Sequence, residues 1–76
     1  MQSYASRIDL RHLRYFVAIV RCGSFRAAAD MLHISQPPLT RQIQQLEQVL
    51  GTTLLHRGAG GVTTTEAGAA FRSEER

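Results

Sequence analysis

The chain has 76 residues, 43% of them apolar, which is room for one small domain with a single core. A lone cysteine, Cys22, excludes a disulfide framework and a cysteine-based metal cluster. The longest apolar run, Tyr15 to Val20, is far too short to span a bilayer, and the first residues show no leader pattern, so no membrane partner and a cytoplasmic setting are expected. The net charge is +3, and all nine basic residues are arginine, five of them between Arg7 and Arg26. Arginine suits forked contacts to phosphates and base edges, and this basicity is compatible with a nucleic-acid partner.

Residues 1–8 read as a loose N-terminal arm. Asp9 is the expected N-cap of a first helix. Leu10, Leu13, Phe16, Val17 and Val20 mark its apolar face, and Gly23 ends it. Arg11, Arg14 and Arg21 lie off that face. Ser24 is expected to cap a second helix, in which Phe25, Ala28, Ala29 and Leu32 follow the i, i+3, i+4, i+7 template. The alanines allow another helix to approach closely. The helix ends near His33, and Ile34 fills a tight connection to the next.

The third helix covers Ser35 to Gly51 and has two different faces. At about 100° per residue, Leu39, Ile43, Leu46 and Leu50 share one side. Pro37, Thr40, Arg41, Gln44 and Gln48 share the other. Arginine can fork onto guanine O6/N7 and glutamine onto adenine N6/N7, while threonine reaches bases or phosphates. Pro37 and Pro38 fall in the first turn, where helical N–H groups lack intrahelical acceptors anyway. Ser35 or Gln36 is then the N-cap. A short helix, a tight turn and a longer helix make a helix-turn-helix, in which the second helix presents the third.

After Gly51 the pattern changes. Leu54-Leu55 and Val62 to Thr64 read as two short strands, with Arg57 and Gly58-Ala59-Gly60-Gly61 in the turn between them. Thr65 caps a fourth helix of roughly a dozen residues, with Ala67, Ala70 and Phe71 on its apolar side. His12, His33 and His56 lie on three elements without metal-ligand spacing, so no metal is expected. Ser24 and Ser35 have no histidine and acid arranged around them. Residues 58–61 lack the GK[ST] of a phosphate loop, and Cys22 reads as a small core residue. No cofactor and no enzymatic chemistry are expected.

Leu10-Arg11-His12-Leu13-Arg14-Tyr15-Phe16, Gly23-Ser24-Phe25, Ala28-Ala29, Ser35-Gln36-Pro37, Thr40-Arg41-Gln42-Ile43, Leu46-Glu47, Leu50-Gly51 and Thr65-Glu66-Ala67-Gly68 stand in fixed order and spacing. Together they resemble the N-terminal domain of LysR-type transcriptional regulators. Pro37-Pro38-Leu39 and Leu54-Leu55-x-Arg57-Gly58 look most like the branch that controls aromatic-compound catabolism. The resemblance implies a mainly α, winged helix-turn-helix fold: a three-helix core, a β-hairpin wing and the start of a C-terminal linker helix. Residues 9–64 would be the DNA-binding domain and 65–76 a shortened linker for dimerisation. The third helix would enter the major groove of double-stranded DNA, with the wing near the flanking minor groove.

On this reading Gln36, Pro37, Pro38, Thr40 and Arg41 face base edges. Ser24, Arg26, Ser35, Gln45 and Arg57 contact phosphates. Homodimers would form through the linker helix, weakly in so short a piece. A small-molecule inducer would act only through an effector domain outside this chain. Three residues depart from the family pattern: Thr40 stands for a serine, His56 for an acid, and Gly60-Gly61 where relatives often carry a basic residue in the wing. A protein-interaction module on the same face is the rival reading, distinguished by how steeply binding falls with salt.

Overall fold

The computed structural model describes residues 10–73. The N-terminal arm, the Asp9 cap and residues 74–76 lie outside them. The order is α1 (Leu10–Cys22), α2 (Phe25–Leu32), α3 (Gln36–Leu50), β1 (Leu55–Gly58), β2 (Gly61–Thr64) and α4 (Glu66–Arg72). The mainly α, winged architecture is the one expected.

The three longer helices enclose one core. Phe16, Val17, Ala18 and Ile19 come from α1, Phe25, Ala28 and Ala29 from α2, and Leu39, Ile43 and Leu46 from α3; Leu54 and Leu55 close it from the hairpin side. The predicted stripe of α3 is correct, with Leu50 half-buried at its end. The stripe of α1 is as expected for Phe16 and Val17, in the core, and for Leu13 and Val20, packed against it, but not for Leu10. Leu10 is 77% exposed, whereas Ile19 and His12 are buried. At about 100° per residue Leu10 stands opposite Ile19, so the two cannot share a face. Phe16 fixes the choice, because Ile19 is one turn from it.

Both ends of α2 are satisfied locally. The Ser24 hydroxyl accepts the Ala27 N–H at 2.9 Å. At the other end His33 adopts the left-handed conformation, φ 60°, and the Ile34 N–H reaches back to the Ala29 carbonyl at 3.0 Å. That compact turn sets the angle at which α3 leaves α2. Ser35 is the N-cap of α3 and makes no side-chain capping bond. Gly51 closes α3 in the same manner, with the Thr52 N–H donating to the Glu47 carbonyl at 3.2 Å.

The hairpin is tighter than expected. Arg57 and Gly58 are in β1 rather than in the turn, and Leu54 precedes the strand. Leu55 pairs with Thr64, His56 with Thr63, Arg57 with Val62 and Gly58 with Gly61, which leaves Ala59-Gly60 as a two-residue turn. A glycine-rich run hides this register, because it offers no alternation of side chains to read.

Two anchors hold the hairpin to the helices. The Val62 N–H donates to the Gly23 carbonyl at 3.0 Å, a contact that a side chain at Gly61 would obstruct, since its Cβ would lie 2.7 Å from that oxygen. At the root, the Glu47 carboxylate accepts the Leu54 N–H at 2.7 Å and the Leu55 N–H at 3.3 Å. Glu47→Ala leaves both donors without this acceptor, beside buried leucines. The expected cost is about 1.5–3 kcal/mol, the range for hydrogen bonds to a charged group, read as a lower melting temperature. Glu47→Gln, whose amide oxygen still accepts, should recover part of it. An unchanged melting temperature in the alanine variant would mean that the wing root is held by packing alone.

Among the described residues the fourth helix covers Glu66–Arg72, seven residues; the last three positions of the dozen expected lie outside them, and its apolar residues divide. Phe71 packs inward, edge-on to Phe16 with ring centroids 5.3 Å apart and planes at 78°. Ala67 is half-buried on the same side, and Ala70 is exposed. Ala67, Ala70 and Phe71, expected on one apolar side, therefore do not share one environment. Phe71 belongs chiefly to this chain's own core.

Candidate nucleic-acid interface

The outer face of α3 is built by what its inner face requires. With Leu39, Ile43 and Leu46 buried, residues more than about 120° away around the helix face outward. Arg41, Gln44, Gln45 and Gln48 are exposed there. Gln36, Pro37, Thr40 and Arg41 line a shallow depression at the N-terminal end. Four of the five expected base-reading residues therefore converge. Pro38 does not join them: it is half-buried and turned about 100° from Pro37. The two prolines keep this turn stiff, and neither places a backbone N–H in the depression.

The expected phosphate contacts fall into four places. Ser24 and Arg26 flank Phe25 at the start of α2, and Ser35 begins α3. Both helix starts carry the positive end of the backbone dipole. The Ser24 oxygen is committed to the Ala27 N–H, but a hydroxyl that accepts one bond can still donate another. Ser35 has no capping bond to its own helix. Gln45 is exposed on α3, one turn beyond Arg41. Arg57 comes from the wing: its guanidinium carbon sits 3.8 Å above the centre of the Phe25 ring. The sequence held no signal for that stack, because Phe25 and Arg57 meet only after the hairpin folds back. Glu47 was likewise visible only as part of a family pattern.

The wing tip, Ala59-Gly60, is uncharged. An added Cβ at Gly60 would meet nothing within 4 Å. Among the described residues no group of three or more histidine, cysteine or acidic side chains could hold a metal ion. No helix among them is long and apolar enough to cross a membrane.

Three helices closed by a hairpin, with arginine, glutamine and hydroxyl groups along the outer face of the third, define a winged helix-turn-helix domain. Residues 10–69 match the bacterial regulatory helix-turn-helix proteins of the lysR family, and the chain belongs to that family. It is 51% identical over 69 residues to the transcriptional regulator TfdT of Cupriavidus pinatubonensis, covering 91% of this chain and 30% of that one. It is 59% identical over 64 residues to the regulator BenM of Acinetobacter baylyi, covering 84% of this chain and 21% of that one. The chain thus spans less than a third of the length of these curated relatives.

Among solved structures, the complex of the BenM DNA-binding domain with benA site 1 DNA superposes with a TM-score of 0.84. It is 57% identical, over 88% of this chain and 78% of that one. The CbnR DNA-binding domain in its DNA complex also has a TM-score of 0.84. It is 48% identical, over 88% of this chain and 77% of that one.

Proposed function

We propose that this chain is the sequence-specific DNA-binding module of a transcriptional regulator and performs no chemistry of its own. The observation that carries this reading is the convergence of Gln36, Pro37, Thr40 and Arg41 at the exposed end of α3. That end enters the major groove. Arg41 and Gln36 supply forked hydrogen bonds to base edges, Thr40 adds a hydroxyl, and the Pro37 ring packs on a thymine methyl. Pro38 stiffens the turn rather than reading a base. Ser24, Arg26, Ser35, Gln45 and Arg57 fix the register by holding phosphates. That the related BenM and CbnR domains were solved in complex with DNA supports duplex DNA as the partner. Selection from random duplexes tests the reading: one enriched motif is expected, bound with an affinity that falls linearly in log–log against salt. Binding without sequence preference would overturn it.

The wing lies near the flanking minor groove, but its tip brings no charge. Gly60→Arg is accommodated sterically and adds a cation at that groove. The variant should bind more tightly, with a salt slope steeper by about one unit. An unchanged slope would remove the tip from the DNA.

Family members would pair through the helix that follows the wing, with an inducer acting on an effector domain elsewhere in the longer protein. In this chain Phe71 packs against the core, and Ala69 and Ala70 are the exposed apolar residues of α4, each with only a methyl group to offer. At about 25 cal/mol per Å², so small a surface does not offset the entropy of association. The chain is therefore a monomer or a weak dimer at micromolar concentration, and two copies pair side by side on paired half-sites. Analytical ultracentrifugation measures this directly; a dimer that survives dilution to nanomolar would refute it.

A further inference from the structure

We propose that Phe25 is a positioning residue for DNA binding, a buried aromatic platform that orients the Arg57 guanidinium of the wing toward a phosphate. The inference rests on the DNA-binding reading above. Phe25 is 5% exposed, locked in the core at the first position of α2. Arg57 comes from a distant part of the sequence, on β1, and its guanidinium carbon stands 3.8 Å from the ring centre. That is well inside the distance at which a ring quadrupole attracts a cation.

The geometry matters because of what stacking leaves free. A guanidinium that covers a ring with its flat face spends none of its N–H groups. All of them project around its edge, where an oxyanion can accept them. An arginine on a glycine-rich hairpin would otherwise sample many rotamers and lose that freedom on binding. Here the ring restricts it beforehand.

The contact also ties the wing to the start of α2. Ser24 and Arg26, the residues on either side of Phe25, are exposed or half-buried. They stand at the positive end of that helix. Arg57 is thus held beside two other phosphate-binding groups from a different element, through a ring that itself never touches DNA. Phe25 therefore has two roles, filling the core and aiming the wing cation. A core-filling role alone would be served by any apolar side chain of similar volume.

The two roles separate in a double-mutant cycle on the folded protein, with the selected duplex as probe. Phe25→Leu keeps an apolar filler and removes the ring. With Arg57 present it should weaken binding about two- to fivefold, the equivalent of one cation–ring contact. In an Arg57→Ala background it should weaken binding no further. Equal losses in both backgrounds, or no loss in a folded Phe25→Leu, would overturn the proposal.

Arg57→Lys, a change on the exposed wing that does not threaten folding, keeps the charge but not the plane. It should bind more weakly than the parent with the same salt slope, and undiminished binding would again overturn the proposal. NMR of the free protein reads the platform without DNA. The Arg57 side-chain protons should be shifted upfield by the ring, and the shift should vanish in Phe25→Leu. A parent that has this shift but binds no duplex would defeat the DNA-binding reading. A parent that binds duplex without the shift would defeat the platform.

Discussion

Gly68→Ala should lower the stability of the domain by about 3 kcal/mol, in the upper part of the range for forced overpacking. Gly68 is buried in the first turn of α4, and an added Cβ would collide with the backbone carbonyl of Leu54. The obstacle is backbone, so no side-chain rotation relieves it. That carbonyl already accepts the Thr65 N–H at 3.0 Å. The Thr65 hydroxyl donates to the Thr53 carbonyl at 2.7 Å and accepts the Gly68 N–H at 2.9 Å. Pushing α4 outward strains all three bonds and draws Phe71 away from Phe16. Alanine favours an isolated helix over glycine by about 1 kcal/mol, so the sign of the measured change decides between local propensity and close approach. For a domain of this size a loss of 3 kcal/mol lowers the melting temperature by roughly 12–24 °C. A melting temperature equal to or above the parent's would mean that α4 can move away from Leu54 without cost.

Gly68 marks the boundary of what the sequence discloses. The helical stripes of α2 and α3 are legible because their apolar spacing repeats, and Ser24 and Thr65 are legible as caps because their hydroxyls act within one turn. The outer face of α3 follows from its inner face by subtraction. Other features depend on contacts between distant segments, which no local pattern encodes. The hairpin register was blurred by four small residues. Leu10 entered the wrong stripe because an apolar residue at a helix end fits two rotations equally well. The contact of Phe71 is hidden in the same way, because the ring it meets, Phe16, lies in α1. The left-handed turn at His33 had no glycine to announce it. The expected site residues follow from the family pattern and their chemistry; folding decides which of them can act together. It separates Pro38 from the other four base-reading candidates and joins Arg57 to the start of α2.

Arg41→Ala should weaken binding to the preferred duplex by about 1–3 kcal/mol, or roughly five- to 150-fold, the value of one forked arginine–guanine contact. Arg41 and Glu47 are the only charged residues of α3. Glu47 is committed to the wing root, which leaves Arg41 as the single charge available to the groove. It is exposed and lies one turn from Pro37, on the rim of the depression that includes Gln36 and Thr40. Removing an exposed side chain here should shift folding stability by no more than about 0.5 kcal/mol, so a weaker complex would not reflect unfolding.

The pattern of the loss carries more information than its size. A base contact predicts that discrimination at one position of the site collapses while binding to unrelated duplexes changes little. A phosphate contact predicts an equal loss on every sequence and a salt slope shallower by about one. Arg41→Lys separates the two further. A lysine satisfies a phosphate as a point charge but cannot match O6 and N7 of guanine in one rigid plane, so it should restore little of the lost discrimination. If the lysine variant recovers both affinity and sequence preference, Arg41 acts through its charge alone, and reading of the groove falls to Gln36 and Thr40.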